Sequence, residues 1–446
     1  MTSTLIESED RREYRATRRR GLAVDLSMTL ATVLVALVIG FLVILATGKD
    51  PVAAYEALLT GPLERSFRVG RWLEDATTLT LLGLSVAIPF RARQISLGAE
   101  SQLYAGALAA ATVAIFLPLP PVAVVLVPLV AAAAAGAGMG FVPGSMKARL
   151  GANEIVATLM LNAIVVRVYD YLVNGPLKEP GSSAVHSERI QPDSALTPLT
   201  EWLGIPFGRA NVGFLLMLLT AVALWLLVTR TPLGYRIRMT GSNPHFAEYG
   251  GIRVPRAIEW SFVIGGAVAG LAGAHLVQGV YGRLEPGLAG SLAFEGIVVA
   301  LLARNNPLVV VVAGLFYSYL RAGGDIMEQQ TDVGTEIVVV IQAVIVLLVT
   351  AQALPDLLKR RLARGPAPAA QGRPVTGAAS NGRTSAGGHT DGRSGVGGAS
   401  HGLPATGGRV GDRRRGGTDP QGRPGAAHDA DGDGHPGGAR GEGEAR

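Results

Sequence analysis

Few residues in this chain could do chemistry, and most of those stand inside or beside apolar runs. No cysteine occurs among the 446 residues, which excludes thiolate nucleophiles, disulfide scaffolds, iron–sulfur clusters and cysteine-based zinc sites. Neither an HExxH spacing nor a GxSxG elbow is present. Of the seven histidines only His275 falls within an apolar run, where a lone histidine is expected to be a satisfied packing residue rather than a ligand. Gly48-Lys49 is followed by Asp50, so there is no GxxxxGK[ST] loop to cradle a phosphate. Any ATP-driven work must therefore be done by another chain. Gly136, Gly138 and Gly140 form a GxGxG run, but no strand precedes it. Gly136 to Gly140 and Gly266 to Gly270 instead have the GxxxG spacing that lets helix backbones approach in lipid.

Charged residues at membrane depth are expensive and by default mark a pathway or an internal pair. Arg167 and Asp170, three apart, are expected to pair on one helix. Glu100, two residues before Gln102, opens one apolar run. Glu154, beside Asn153, opens another, and Glu295 lies in a short one. For these acids, lining of a polar cavity and capping of a helix N-terminus, where the dipole favours an acid, both remain open. No chain of buried acids or histidines of the kind proton relays use is present, which counts against a proton-coupled carrier, although sodium held by backbone carbonyls would leave little trace.

These residues need a scaffold, and composition says which. Only 17% of residues are charged and 48% are apolar, against about 25% charged in a soluble protein. The shortfall is concentrated in uncharged runs long enough, at about 20 residues, to cross a bilayer as helices. The expected fold is an all-α polytopic membrane protein with about ten transmembrane helices. The spans are expected near Met28–Thr47, Thr77–Phe90, Leu97–Leu117, Val122–Val142, Asn153–Val173, Val212–Val228, Ala257–Val280, Leu292–Ala303, Leu308–Leu320 and Ile337–Ala351. The second, eighth and ninth are short, the signature of broken helices around a binding site.

Arginines Arg18, Arg19 and Arg20 flank the first span, and Lys359, Arg360, Arg361 and Arg364 follow the last. Basic flanks mark the cytoplasmic side, so both termini are expected there. The first apolar run exceeds the about 7–15 residues of a secretory core and reads as an uncleaved span. The expected organisation is a cytoplasmic arm over 1–21 and a permease domain over 22–354. That domain carries a cytoplasmic loop over 230–256 and an extracytoplasmic loop over 174–210. A basic and then Gly/Ala/Pro-rich tail over 355–446 cannot bury enough apolar surface to order itself. The net charge of +6 is small and lies beside spans, so no nucleic-acid partner is expected.

One cytoplasmic segment, TPLGYRIRMTGSNPHFAEYGGIRVPR (Thr231 to Arg256), is sharply bounded. A Gly-x-Asn-Pro turn at Gly241, Asn243 and Pro244 is expected to start a short helix through Phe246, Ala247, Glu248 and Tyr249, stopped by Gly250 and Gly251. Such a helix has the shape needed to dock in a groove of a partner and pass on its motion. Here the chain resembles the permease subunit of bacterial ABC importers, in the branched-chain amino acid, ribose and nucleoside permease superfamily, where this loop is the helix seated on the cytoplasmic ATPase. The resemblance continues through ISLGAESQLYAGALAAA (Ile95 to Ala111), GANEIVATLMLNAI (Gly151 to Ile164), GPLKEPG (Gly175 to Gly181), EGIVVALLARNNPL (Glu295 to Leu308) and LRAGG (Leu320 to Gly324). It spans about Leu26 to Gln352. GPLKEPG and the ALLARNNP turn are most similar to nucleoside permeases that work with a lipoprotein of the basic membrane protein type. Ser96 and Ser101 stand where that pattern has other residues, near a pathway helix, which leaves substrate preference less fixed than fold.

The resemblance implies a multi-pass subunit of the bacterial plasma membrane, without ATPase activity or a cofactor of its own. It also implies a second, homologous permease, a cytoplasmic ABC ATPase and an extracytoplasmic substrate-binding lipoprotein. A nucleoside is uncharged, with a ribose and a planar base, so its path calls for amide and hydroxyl partners on apolar walls. Gln102, Tyr104, Asn153 and Asn162 are the candidates, with Glu100 accepting from ribose hydroxyls. Gly241, Asn243, Pro244, Ala247, Tyr249, Gly250 and Gly251 are the candidates for coupling to the ATPase. A simple-sugar ABC permease is the alternative within the same class, and an ion-coupled secondary carrier is the alternative outside it.

Overall fold

The computed structural model describes residues 38–42, 44–46, 48–118, 120–121, 123–204, 208–331, 333–334, 339–340 and 343–344. Most of the first and last expected spans lies outside them, as do the 1–21 arm and the 355–446 tail. The described part is helical. Its main elements are α1 (Pro51–Thr60), α2 (Ser66–Arg91), α3 (Ala99–Phe116), α4 (Ala123–Leu150) and α5 (Glu154–Asn174). After the loop that carries the short α6 (Leu199–Leu203) come α7 (Gly213–Arg230), α8 (Pro232–Ser242), α9 (Pro244–Tyr249), α10 (Val254–His275), α11 (Leu292–Leu302) and α12 (Pro307–Gln330). Helix α10 runs on through a π-helical turn, Leu276–Tyr281.

Six helices among the described residues are long and apolar enough to cross a membrane: α2, α4, α5, α7, α10 with its π turn, and α12. Of the expected spans, the eighth is short as anticipated, at 11 residues. The second and ninth are not: α2 runs for 26 residues and α12 for 24. The charged ends of these helices, Arg71, Glu74 and Asp75 on α2 and Arg321 and Asp325 on α12, read locally as exits from the membrane. They are instead carried along the helices, where Glu74 meets Arg209 of the α5–α7 loop at 3.5 Å and Arg321 meets Glu295 of α11 at 2.9 Å.

Burial separates inner from outer helices. In its most apolar stretch α2 is 83% buried and α10 72%, whereas α4, α5 and α7 are at 22–28%. Helices α2 and α10 form the centre although α4 and α7 are the more apolar, with Leu79, Leu82, Leu84, Leu103, Met217 and Leu276 in the main core. The outer helices present Val130, Met160, Ile164 and Leu219 outward, as lipid-facing helices do.

The α4–α10 contact is made of glycine. A Cβ on Gly136 would come within 2.2 Å of the Gly266 carbonyl oxygen, and one on Gly140 within 2.3 Å of the Phe262 carbonyl oxygen. Gly138, on the other face, would meet nothing within 4 Å. The GxGxG run is thus half of a helix-packing seam, as its GxxxG spacing suggested.

At one end of the bundle the loop between α5 and α7 is laced to the π turn and its continuation. Ser187 N donates to Leu284 O at 3.0 Å, Ile190 N to Gly282 O at 2.9 Å and Leu196 N to Gln278 O at 2.9 Å. Gln278 Nε2 returns a bond to Ser194 O at 2.7 Å. Backbone groups of a long irregular loop need such partners when covered, and the widened π turn supplies them.

Candidate functional site

Two regions carry the residues singled out in the sequence. The first is a groove between α3 and α5. Helix α5 begins at Asn153, whose side chain accepts from Ile155 N at 2.9 Å and Val156 N at 3.4 Å, an N-cap. Glu154 next to it meets Lys147 Nζ at 2.8 Å. Two turns along, the buried Asn162 reaches across to the start of α3. Its Oδ1 accepts from Ser101 N at 3.0 Å and its Nδ2 donates to Leu97 O at 2.8 Å. One amide therefore satisfies both a donor and an acceptor of the turn before α3, and fixes Glu100 at the mouth of the groove. The groove, about 360 Å³, is lined by Glu100, Asn162, Leu159, Ala163, Val166, Arg167 and Phe294.

Of the five pathway candidates, the structure brings Glu100 and Asn162 together in this groove. Asn153 caps α5, and Gln102 is buried. Tyr104 lies in the core behind: its ring centroid is 4.5 Å from that of Tyr169, and its hydroxyl oxygen accepts from Ala289 N at 3.4 Å. Arg167 Nη1 stands 3.8 Å from Asp170 Oδ2, with the guanidinium side chain 86% exposed. The groove is therefore open along the outer face of α5, its walls apolar and its ends charged. His275 is fully buried and satisfied on one side only: Nδ1 lies 2.9 Å from Thr78 Oγ1, while Nε2 has no partner among the described residues.

Sequence reasoning did not single out Phe294 or the ion pair beside it. On α11, Glu295 Oε2 meets Arg321 Nη1 of α12 at 2.9 Å, its other oxygen accepts from Ser291 Oγ, and Asp75 and Asp325 lie within the electrostatic reach of the same guanidinium. Both partners fall in segments that carry the family resemblance, EGIVVALLARNNPL and LRAGG. That co-occurrence was the available signal.

The second region is the α8–α9 segment at the Arg91 end of α2. Thr231 caps α8, accepting from Gly234 N at 3.1 Å. Asn243 caps α9, accepting from Phe246 N at 3.1 Å, with Pro244 at the first helical position, where its missing N–H costs nothing. Gly250 closes α9, and Gly251 follows at φ +76°, a conformation that disfavours any side chain. Ala247 alone of α9 is buried, while Phe246 is 62% and Tyr249 93% exposed. One correction concerns Gly241. It is not part of the turn but the penultimate residue of α8, where a Cβ would come within 1.9 Å of the Arg91 carbonyl oxygen. Its smallness serves close contact with α2. Arg91 in turn donates from Nε to Asn305 O at 2.7 Å, tying the turn between α11 and α12 to the same point.

The backbone of α8 thus packs on the inner helix α2 beside the exposed α9, and an open groove lies between α3 and α5. Residues 68–350 match the model of the family described as branched-chain amino acid transport system / permease component. The chain belongs to that family.

Among curated relatives, the chain is 34% identical to the glucose ABC transporter permease of Haloferax volcanii over 327 residues, covering 72% of this chain and 86% of the relative. It is 31% identical to the guanosine ABC transporter permease of Bacillus subtilis, covering 73% and 92%. To the nucleoside ABC transporter permease of Lactococcus lactis it is 28% identical, again covering 73% and 92%. No solved structure shows a significant match.

Proposed function

We propose that the chain is one of two membrane subunits of an ATP-driven importer of the plasma membrane, passing nucleosides from an extracytoplasmic binding protein to the cytoplasm. The observation that carries this reading is the α8–α9 segment: a capped helix with two exposed aromatics, joined to α2 through Gly241. A cytoplasmic ATPase that grips Phe246 and Tyr249 would move α9, and the Gly241–Arg91 contact would pass that displacement to the helix at the centre of the bundle. Energy enters only as differential binding of the partner to two states of the permease. The orientation follows from the basic residues Arg91, Arg93, Arg236, Arg238 and Arg304 gathered at this end, which the positive-inside rule assigns to the cytoplasm.

For the substrate, the reading rests on the groove. Its volume of about 360 Å³ falls within the about 300–1,000 Å³ usual for small-molecule sites. Glu100, held in place through Asn162, accepts from hydroxyls, and the exposed Phe294 offers a face on which a planar base stacks. A second, homologous permease is needed to close the open side. The guanosine and nucleoside relatives support a nucleoside. The glucose relative, at slightly higher identity, favours the second reading, a sugar. The two separate by competition: uptake of a labelled nucleoside by cells expressing the complete importer should be displaced by unlabelled nucleosides and not by glucose or pentoses. Displacement by the sugars alone would establish the sugar reading.

A further inference from the structure

A cavity of about 390 Å³ opens at the foot of α8 and α10, beside α9. Its lining includes Arg236 from α8, Arg253 and Arg256 from the start of α10, Gly251, Leu233 and Trp260. No acid lines it, and among the described residues none of the three arginines forms an ion pair, although Arg149 nearby pairs with Glu259 at 3.0 Å. Three unpaired guanidinium groups around one cavity repel one another, and an anion seated among them relieves that repulsion. The N-terminus of the 22-residue α10 adds its partial positive charge at the same place.

Composition along α10 says what carries the anion. Trp260, 51% exposed, stands one turn beyond Arg256, and indole rings favour the membrane–water interface. Past it, Val263, Ile264 and Ala267 continue the same partly exposed stripe at helical spacing. A cationic pocket for a head, an indole at the boundary and an apolar track for chains match an amphiphile. We propose that this cavity is a binding site for an anionic phospholipid, whose phosphate sits among Arg236, Arg253 and Arg256 and whose acyl chains run along Trp260 and the α10 stripe. The lipid bridges α8 and α10 across the base of α9, with Gly251 as one wall, and so braces the proposed ATPase contact. The assignment is independent of which substrate the importer carries.

The test uses the full chain purified in an uncharged detergent, titrated with phosphatidylglycerol or phosphatidylcholine of identical acyl chains and read by native mass spectrometry. Phosphatidylglycerol is expected to bind about a hundredfold more tightly, since each of the three basic residues near a lipid surface contributes about a fivefold preference. The triple variant R236Q/R253Q/R256Q should lose that preference. The single variant R256Q, at an exposed position that the fold does not depend on, should lose about a fivefold part of it. R189Q, on the opposite loop, should keep it. Equal binding of the two lipids, or a preference that survives both cavity variants, would overturn the proposal. So would displacement of the lipid by inorganic phosphate at equal concentration, which would make the cavity a free-phosphate site, or filling of the cavity only when an acidic segment of the ATPase is supplied.

Discussion

The side chain of Asn162 and the missing side chains of Gly136 and Gly266 are where single substitutions should tell most. Asn162→Leu strands Ser101 N and Leu97 O, both covered by protein, and an unsatisfied buried group costs about 1–3 kcal/mol. The variant should melt lower in detergent and lose uptake, because Glu100 is no longer fixed. Gly136→Leu drives a side chain into the Gly266 carbonyl and should yield little folded protein, as overpacking costs about 1–3 kcal/mol or more. Gly138→Ala, facing open space, should leave the thermal midpoint unchanged or raise it slightly, since alanine exceeds glycine in helix propensity by about 1 kcal/mol. Equal damage from both glycine variants would refute the seam.

Pairs between helices account for what the chain did and did not disclose in advance. The α9 segment was legible because its caps are local: Asn243 and Pro244 begin it, Gly250 and Gly251 end it, all within one short stretch around a helix of six residues. The lengths of α2 and α12 were not legible, because Glu74, Asp75, Arg321 and Asp325 look like membrane exits to any local window. Their partners lie far along the chain, Arg209 for Glu74 at 3.5 Å and Glu295 for Arg321 at 2.9 Å. The groove depended likewise on Asn162 reaching Ser101, 61 residues away, a contact that no periodicity encodes. If the Arg321–Glu295 pair holds α12 to α11, Arg321→Gln should destabilise strongly, by about 3–5 kcal/mol where a covered charge loses its partner. The double variant R321Q/E295Q should recover much of that loss. A double variant no more stable than the single one would show that the pair contributes nothing of its own. The same reasoning applied to α9 separates stability from coupling. Phe246→Ala and Tyr249→Ala remove exposed rings, so melting should stay within about 0.5 kcal/mol of the parent, while uptake falls. Gly250→Val with Gly251→Val should abolish uptake while the binding protein still captures substrate.

For the whole molecule, the inner pair α2 and α10 is flanked by the outer α4, α5 and α7. The groove lies open on α5, the proposed ATPase contact lies on α9, and the sequence carries no GxxxxGK[ST] loop. On the proposed function the path is completed by a second permease and driven by an ATPase, and transport stands or falls on that dependence. The most direct measurement is uptake of a labelled nucleoside into vesicles reconstituted with this chain, its partner permease, the ATPase and the binding protein, with each component omitted in turn. ATP-dependent accumulation is expected from the full set, and none when the ATPase is withheld or when Phe246 and Tyr249 are both alanine. Accumulation by this chain alone, driven by an ion gradient, would contradict the dependence outright.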